Sequence, residues 1–331
     1  MNRRTFLLGT STLLTAGCGG VSGPRLTLVS YDATRELFRE VNRRFSAWHD
    51  RKFGAPVRVF ASHGGSTKQA LAVLNGLPAE VVSLAIRSDM DVLCRDGLID
   101  AGWEKRFPNR SLPFTSAIVF VVRKGNPHGI VEWPDLVTKP GVKIITASPK
   151  TSGVAKLAFL AAWGSVTASG GSDADAERYV GELFRRVPVL ESGSRAATNT
   201  FARKCLGDVT LTWENEARLE MREFGDALEI VYPKRSIRGE PHVAVVDATA
   251  KRNGTEGLAE SFVKFLYEDD VQDVIAQNYY RPTAPAALAR YADRFGAVQL
   301  FGIDDVVPGG WDEAQRRFFA DGGVFDRIYA S

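Results

Sequence analysis

The sequence has 331 residues, 44% of them hydrophobic and 24% charged, which is ordinary globular composition with enough chain for two cores rather than one. Its 42 basic residues nearly balance 39 acidic ones, for a formal net charge of +3, and no Lys/Arg run is interleaved with aromatics. So even a balance argues against nucleic-acid binding, which calls for a basic block.

The chain opens on Met1-Asn2-Arg3-Arg4, then runs through apolar and small residues to Thr15-Ala16-Gly17-Cys18. A charged start with a short apolar stretch predicts an export signal over residues 1–18, too short to span a membrane. Arg3-Arg4 before Thr5-Phe6-Leu7 resembles a twin-arginine signal, with an ordinary secretory signal as the alternative. Small residues directly before Cys18 resemble a lipoprotein cleavage site and predict lipidation of that thiol; a plain secreted protein is the alternative.

Beyond the signal, strand-like and helix-like segments alternate. Leu26 to Val29 predicts a strand. Residues 34–50 carry helical periodicity, with Leu37, Phe38, Val41, Phe45 and Trp48 on one side. A β-branched run at 57–60, a helix at 68–75 and a buried strand at 81–86 follow. Strands are then expected at 118–122, 143–146, 187–190 and 209–213, separated by helices. This alternation predicts parallel sheets with helices on both faces. Two such cores without a linker predict discontinuous domains, with crossings at 118–122 and 243–246. Cys94 and Cys205 are expected to be buried free thiols rather than a disulfide.

Four loops bring small polar residues to a helix start: Ser30 to Thr34, Ser62 to Lys68, Ser148 to Ala155, and Glu191 to Arg195 leading into Thr198-Asn199-Thr200. Each would present backbone N–H groups that lack intrahelical acceptors, at the positive end of a helix dipole. Taken singly, such residues are first of all N-caps. Four on one topological side of two α/β cores mark a candidate anion site, because ligands bind outside the carboxyl ends of the strands.

These loops resemble the periplasmic sulfate/thiosulfate-binding protein family of ABC importers. Residues 30–37, SYDATREL, resemble its SYDPTREL, and residues 62–69, SHGGSTKQ, its SHGGSGKQ. Residues 148–156, SPKTSGVAK, resemble its NPK[ST]SGxAR, and Trp213 to Ala217 match its WENEA. Ser192-Gly193-Ser194-Arg195 with Thr198-Asn199-Thr200-Phe201 resembles SGARGSTNTF, and the likeness runs in constant order to about Tyr329. Ser148 for Asn, Lys156 for Arg, Thr67 for Gly and Val154 for Gly are departures.

The resemblance implies an α/β, two-lobed periplasmic-binding-protein-like fold (type II) with a ligand cleft between discontinuous domains. Residues 25–117 with 243–331 would form lobe I, and 118–242 lobe II. It implies donors from the backbone N–H of Asp32 and from the Ser66 hydroxyl and N–H on one lobe. The other lobe would supply the Ser152 hydroxyl, the N–H groups of Gly153, Val154 and Ser194, and the Trp213 indole N–H. It further implies a monomer without cofactor or metal, located in the periplasm or at the envelope exterior. That protein would hand sulfate or thiosulfate to a membrane permease.

Other readings remain open. His63-Gly64-Gly65 is faintly similar to an esterase oxyanion loop, but no Gly-x-Ser-x-Gly elbow accompanies it. His63 is read instead as bracing its loop. Four histidines give little support to a metal site. Phosphate, molybdate and tungstate are alternative ligands; phosphate would call for a buried acceptor such as the Asp32 carboxylate.

Overall fold

The structure is a computed structural model and describes residues 23–330. The export signal, its Arg3-Arg4 pair and the lipidation expected at Cys18 lie outside the described residues. Twelve strands occur among those described: β1 Arg25–Tyr31, β2 Arg58–Gly64, β3 Val81–Leu84, β4 Phe114–Arg123, β5 Ile144–Ala147, β6 Leu190–Glu191, β7 Val209–Trp213, β8 Leu228–Val231, β9 Arg235–Gly239, β10 His242–Val245, β11 Arg281–Pro282 and β12 Gln299–Phe301.

They form two sheets. The first has the order β10-β3-β1-β2; the second has β12-β9-β4-β7-β5-β6, with β8 and β11 also paired to β4. Strands β1, β2 and β3 are parallel, as the alternation with helices predicts. The expectation of wholly parallel sheets is corrected, however: β10 is antiparallel to β3, and β4 is antiparallel to β7, β8 and β9. The parallel arrangement needs a crossover to return the chain to the same edge. Only Glu240 and Pro241 separate β9 from β10, so the chain runs straight from one sheet into the other.

The expected lobe boundaries need a second correction, at the C-terminus. Strand β12 pairs with β9, and the helices Ile303–Val306 and Val324–Ala330 pack on the helices Gly153–Thr167 and Asp173–Arg185. Residues from 299 onward therefore pack mainly over the second sheet, with helix Gly310–Ala314 also reaching helix Arg87–Arg95 of the first half. Their apolar residues explain the choice: Phe318, Phe319 and Phe325 surround Phe159, with ring centroids 5.4 to 6.4 Å away.

Local sequence accounts for the helices that frame the site. In Arg35–Phe53 the buried residues are Leu37, Phe38, Val41 and Phe45, the apolar stripe read from the sequence, and Gly54 ends the helix at φ 70°. Helix Gly153–Thr167 is different: every residue from Gly153 to Gly164 is buried. A helix that is apolar nearly all round is an interior one. The largest apolar cluster joins Leu28, Phe38 and Phe45 of the first half to Phe120, Phe159, Trp163 and Trp213 of the second. Cys94 and Cys205 are both free, but neither is fully buried: Cys94 is half-buried, and Cys205 is exposed in a turn at φ 55° after a helix end.

Candidate functional site

Each of the four loops ends a strand and starts a helical turn. Asp32 opens the turn after β1, and Ser66 begins helix Ser66–Leu74 after β2. Ser152 caps helix Gly153–Thr167 after β5, and Ser194 begins helix Ser194–Thr198 after β6. Trp213 ends β7. Asp32 and Ser66 thus come from the first sheet, and Ser152, Gly153, Val154, Ser194 and Trp213 from the second.

The structure brings all seven into one buried zone where the two halves meet. The Arg195 backbone N–H donates to Asp32 Oδ2 at 3.1 Å, placing the Ser194 turn against the Asp32 turn. A methyl group on Gly153 would lie 3.2 Å from Ser66 Cβ and from Ala85 Cβ, so these two helix starts nearly touch. A methyl group on Gly65 would come within 2.4 Å of the Thr151 carbonyl oxygen across the same boundary. Trp213 lies against Tyr31, their ring centroids 5.3 Å apart. Tyr280 donates to the Ala33 carbonyl at 2.8 Å, and Asn215 donates to the Tyr280 hydroxyl at 2.9 Å.

The polar atoms divide into committed and uncommitted groups. The Ser66 hydroxyl is committed: it donates to Asp89 Oδ2 at 2.5 Å and accepts from the Ala85 N–H at 2.9 Å. In this arrangement its one proton goes to Asp89, and its backbone N–H lies at the helix start. The Ser152 hydroxyl accepts from the Ala155 N–H at 3.3 Å, a cap that leaves its own proton to donate elsewhere. The Trp213 indole N–H, the Ser194 hydroxyl and Asp32 Oδ1 are buried and have no hydrogen-bond partner among the described residues. Such groups are costly to bury unless something meets them. Trp213 is fully buried, and its indole N–H can only donate.

His63 braces its loop rather than standing ready for chemistry. Its Nδ1 lies 2.7 Å from the Ser30 hydroxyl, linking the ends of β1 and β2. Burial, followed by the nearby Arg35 charge, lowers its pKa to about 4, so the ring is neutral near pH 7.

Charge is concentrated behind the donor zone. The Arg195 guanidinium binds Glu36 at 3.2 and 2.8 Å and Glu216 at 3.1 and 3.0 Å. Burial pushes the Glu216 carboxyl up to about 7, against the pull of Arg195. Glu220, which accepts from the Thr198 hydroxyl at 2.9 Å, is pushed up to about 8 by burial and by the Glu216 charge. A carboxyl whose pKa is higher in the folded than in the unfolded chain stabilises the fold when protonated. That contribution is present below the unfolded value and is lost as pH rises through the folded one. Thermal stability should therefore fall between about pH 5 and about pH 8, and Glu220→Gln should flatten that fall by on the order of 1 kcal/mol or more. Melting curves of both proteins across that range check it; parallel pH profiles would contradict it.

Sequence reading did not find Asp89, nor the partners of Arg195. Asp89 carries no motif, and its role follows only from where helix Arg87–Arg95 lands after β3. The signal for Arg195 and Glu36 was present, because both sit inside the resembling segments, but their meeting is a tertiary fact. A cavity of about 400 Å3 opens beside the zone, lined by Asp32, Arg35, His63, Lys68, Gly193 and Arg195 among others. A hollow of about 490 Å3 at Glu132, Trp133, Lys234 and Arg235 contains none of the seven residues.

The chain is similar to known proteins. The family model described as bacterial extracellular solute-binding protein matches residues 26–281. A thiosulfate-binding protein of Pseudomonas aeruginosa is 44% identical over 329 residues, covering 98% of each chain. A sulfate-binding protein of Escherichia coli is 45% identical over 326 residues, covering 98% of this chain and 97% of its own. Among solved structures, the sulfate-binding protein SubI from Mycobacterium tuberculosis superposes with a TM-score of 0.81 at 32% identity. It covers 89% of this chain and 99% of its own.

Proposed function

Because the chain belongs to the bacterial extracellular solute-binding protein family, we propose that it captures sulfate, or the related thiosulfate, between its two lobes and delivers it to the membrane permease of an ABC-type importer. The observation that carries this reading is the fully buried Trp213 indole N–H, without an acceptor among the described residues. It lies where four strand-to-helix loops converge. A sulfate dianion offers only acceptor lone pairs, so it suits a shell made entirely of donors. That shell comprises the backbone N–H groups of Asp32, Ser66, Gly153, Val154 and Ser194, the Ser152 hydroxyl and the Trp213 indole. Each hydrogen bond to a charged partner contributes about 1.5–3 kcal/mol. Seven of them, less the costs of association and desolvation, leave roughly −8 kcal/mol, a micromolar or tighter binder. Neutral dipoles hold the anion without a buried counter-charge that would slow its release. The relatives named above are binding proteins, and we read this chain as a binding protein rather than an enzyme.

One observation favours a second reading. Asp32 Oδ1 is a buried acceptor without a partner among the described residues. If its carboxylate meets the ligand, Oδ1 would accept a hydrogen bond from the hydroxyl of hydrogen phosphate. A calorimetric titration of ligand-stripped protein with sulfate, thiosulfate, phosphate and molybdate near pH 7 separates the two readings. Sulfate or thiosulfate should bind one to one, with phosphate weaker by about 100-fold, the cost of leaving its proton without an acceptor. Equal affinity for sulfate and phosphate would move the assignment to Asp32 and phosphate.

We place the protein on the outer side of the cytoplasmic membrane, anchored by a lipid on Cys18 after export. This rests on the apolar-small-Cys pattern at residues 5–18. A Cys18→Ser chain should leave the membrane fraction for the soluble one; wild-type protein that is already soluble would contradict the anchor.

A further inference from the structure

Two of the four helix starts are tied to each other by side chains that touch no proposed ligand donor atom. Lys156 lies on helix Gly153–Thr167, one turn beyond Ser152 and Gly153. Its Nζ lies 4.0 Å from Asp89 Oδ1 and donates to Gln315 Oε1 at 3.0 Å. Asp89 lies in the other half, on helix Arg87–Arg95, and its carboxylate accepts from both the Ser66 and the Thr67 hydroxyls, at 2.5 and 3.0 Å. The side chains of Lys156 and Asp89 are 3% and 4% exposed. One carboxylate therefore connects the start of helix Ser66–Leu74 to the helix that begins at Gly153, across the boundary between the lobes.

We propose that Lys156 and Asp89 are positioning residues that latch the closed form: they hold the Ser66 and Gly153 helix starts facing each other and set how long a captured anion stays. The inference rests on the proposed capture of sulfate between the lobes. Buried together, each ion offsets the other's loss of water; buried alone, either is strongly unfavourable. Burial pushes Asp89 up and Lys156 down, and in each case the partner's charge opposes the shift. The Gln315 amide and the Ser66 and Thr67 hydroxyls also face the pair, and the nearby Lys150 charge adds to the downward push on Lys156. When the lobes part, both ions regain water but lose each other, so the pair holds the closed form through their mutual attraction, without touching the ligand. Its loss should act on departure rather than capture, because capture begins on the open form.

The test is stopped-flow measurement of sulfate association and dissociation for wild type, Lys156→Met, Lys156→Arg and Asp89→Asn. Lys156→Met should release sulfate at least about tenfold faster, with association within about twofold of wild type. Lys156→Arg, which keeps the charge, should restore slow release. Combining Lys156→Met with Asp89→Asn should cost less than the sum of the two single changes, because no lone ion is left buried. Melting of the ligand-free proteins separates the latch from a general structural role. A Lys156→Met protein that releases sulfate at the wild-type rate overturns the latch. So does one whose ligand-free stability falls in step with its affinity. Wild type run in parallel isolates the sulfate reading. If wild type does not bind sulfate, that reading fails by itself, and the same rates are measured with the oxyanion that binds in the titration.

Discussion

Replacing Gly65 by alanine should leave the ligand-free protein folded and lower its sulfate affinity by about 10- to 100-fold. Gly65 has φ −55° and ψ 133°, a conformation alanine adopts freely, so nothing in its own backbone requires glycine. What excludes a methyl group is the facing lobe: the added carbon would lie 2.4 Å from the Thr151 carbonyl oxygen and 3.0 Å from that of Ser192. Thr151 and Ser192 belong to the loops after β5 and β6, on the second sheet. Separating the lobes removes the conflict and closing them creates it. The penalty therefore falls on the closed, ligand-holding form alone, in the range of an overpacked core. A titration paired with a melt of the ligand-free variant reads both halves. Wild-type affinity would show that the anion does not need the lobes to meet at Gly65. An unfolded variant would show that the contact serves the fold.

Trp213→Phe should weaken sulfate binding by about 10- to 100-fold, corresponding to the loss of one donor to a buried anion. Phenylalanine keeps an aromatic ring against Tyr31, so most of the apolar contact survives and the indole N–H is what is removed. Packing is close on its far side, where a methyl group on Gly239 would sit 2.9 Å from the indole ring. The smaller ring leaves some space there, and ligand-free stability should fall modestly. The comparison is therefore between affinity and ligand-free melting. A loss of stability with unchanged affinity would make Trp213 a core residue and nothing more.

Local features of the sequence were more legible than the way its segments meet. Strand-to-helix loops announce themselves through Ser, Thr, Gly and Asp at fixed places. The helix start within Ser148 to Ala155 was readable locally, whereas Ser152, Gly153 and Val154 were singled out as donors only by the resemblance. The apolar stripe of Leu37, Phe38, Val41 and Phe45 was likewise readable, because periodicity is a local property. What could not be read was how separate segments meet. The antiparallel entry of β10 follows a short passage at Glu240-Pro241, whose direction periodicity does not record. The return of β12 to β9 depends on Phe318, Phe319 and Phe325 finding Phe159, more than 150 residues earlier in the chain. Ser66 shows the same limit within the site. Its position was legible, but the direction of its hydroxyl was set by Asp89, which shares no motif with it. Lys156 was visible only as a departure from arginine. Its meaning became physical once Asp89 and Gln315 were found around its ammonium group.

The central claim is that a ring of neutral donors, with Trp213 among them, closes on a sulfate dianion. It is tested most directly by the indole 15N–1H resonance of Trp213, assigned by its absence from Trp213→Phe. As ligand-stripped wild type is titrated with sulfate, that one indole proton should move strongly downfield and saturate at one equivalent, with the other five tryptophans little changed. A Trp213 resonance that stays in place at saturating sulfate would contradict the account.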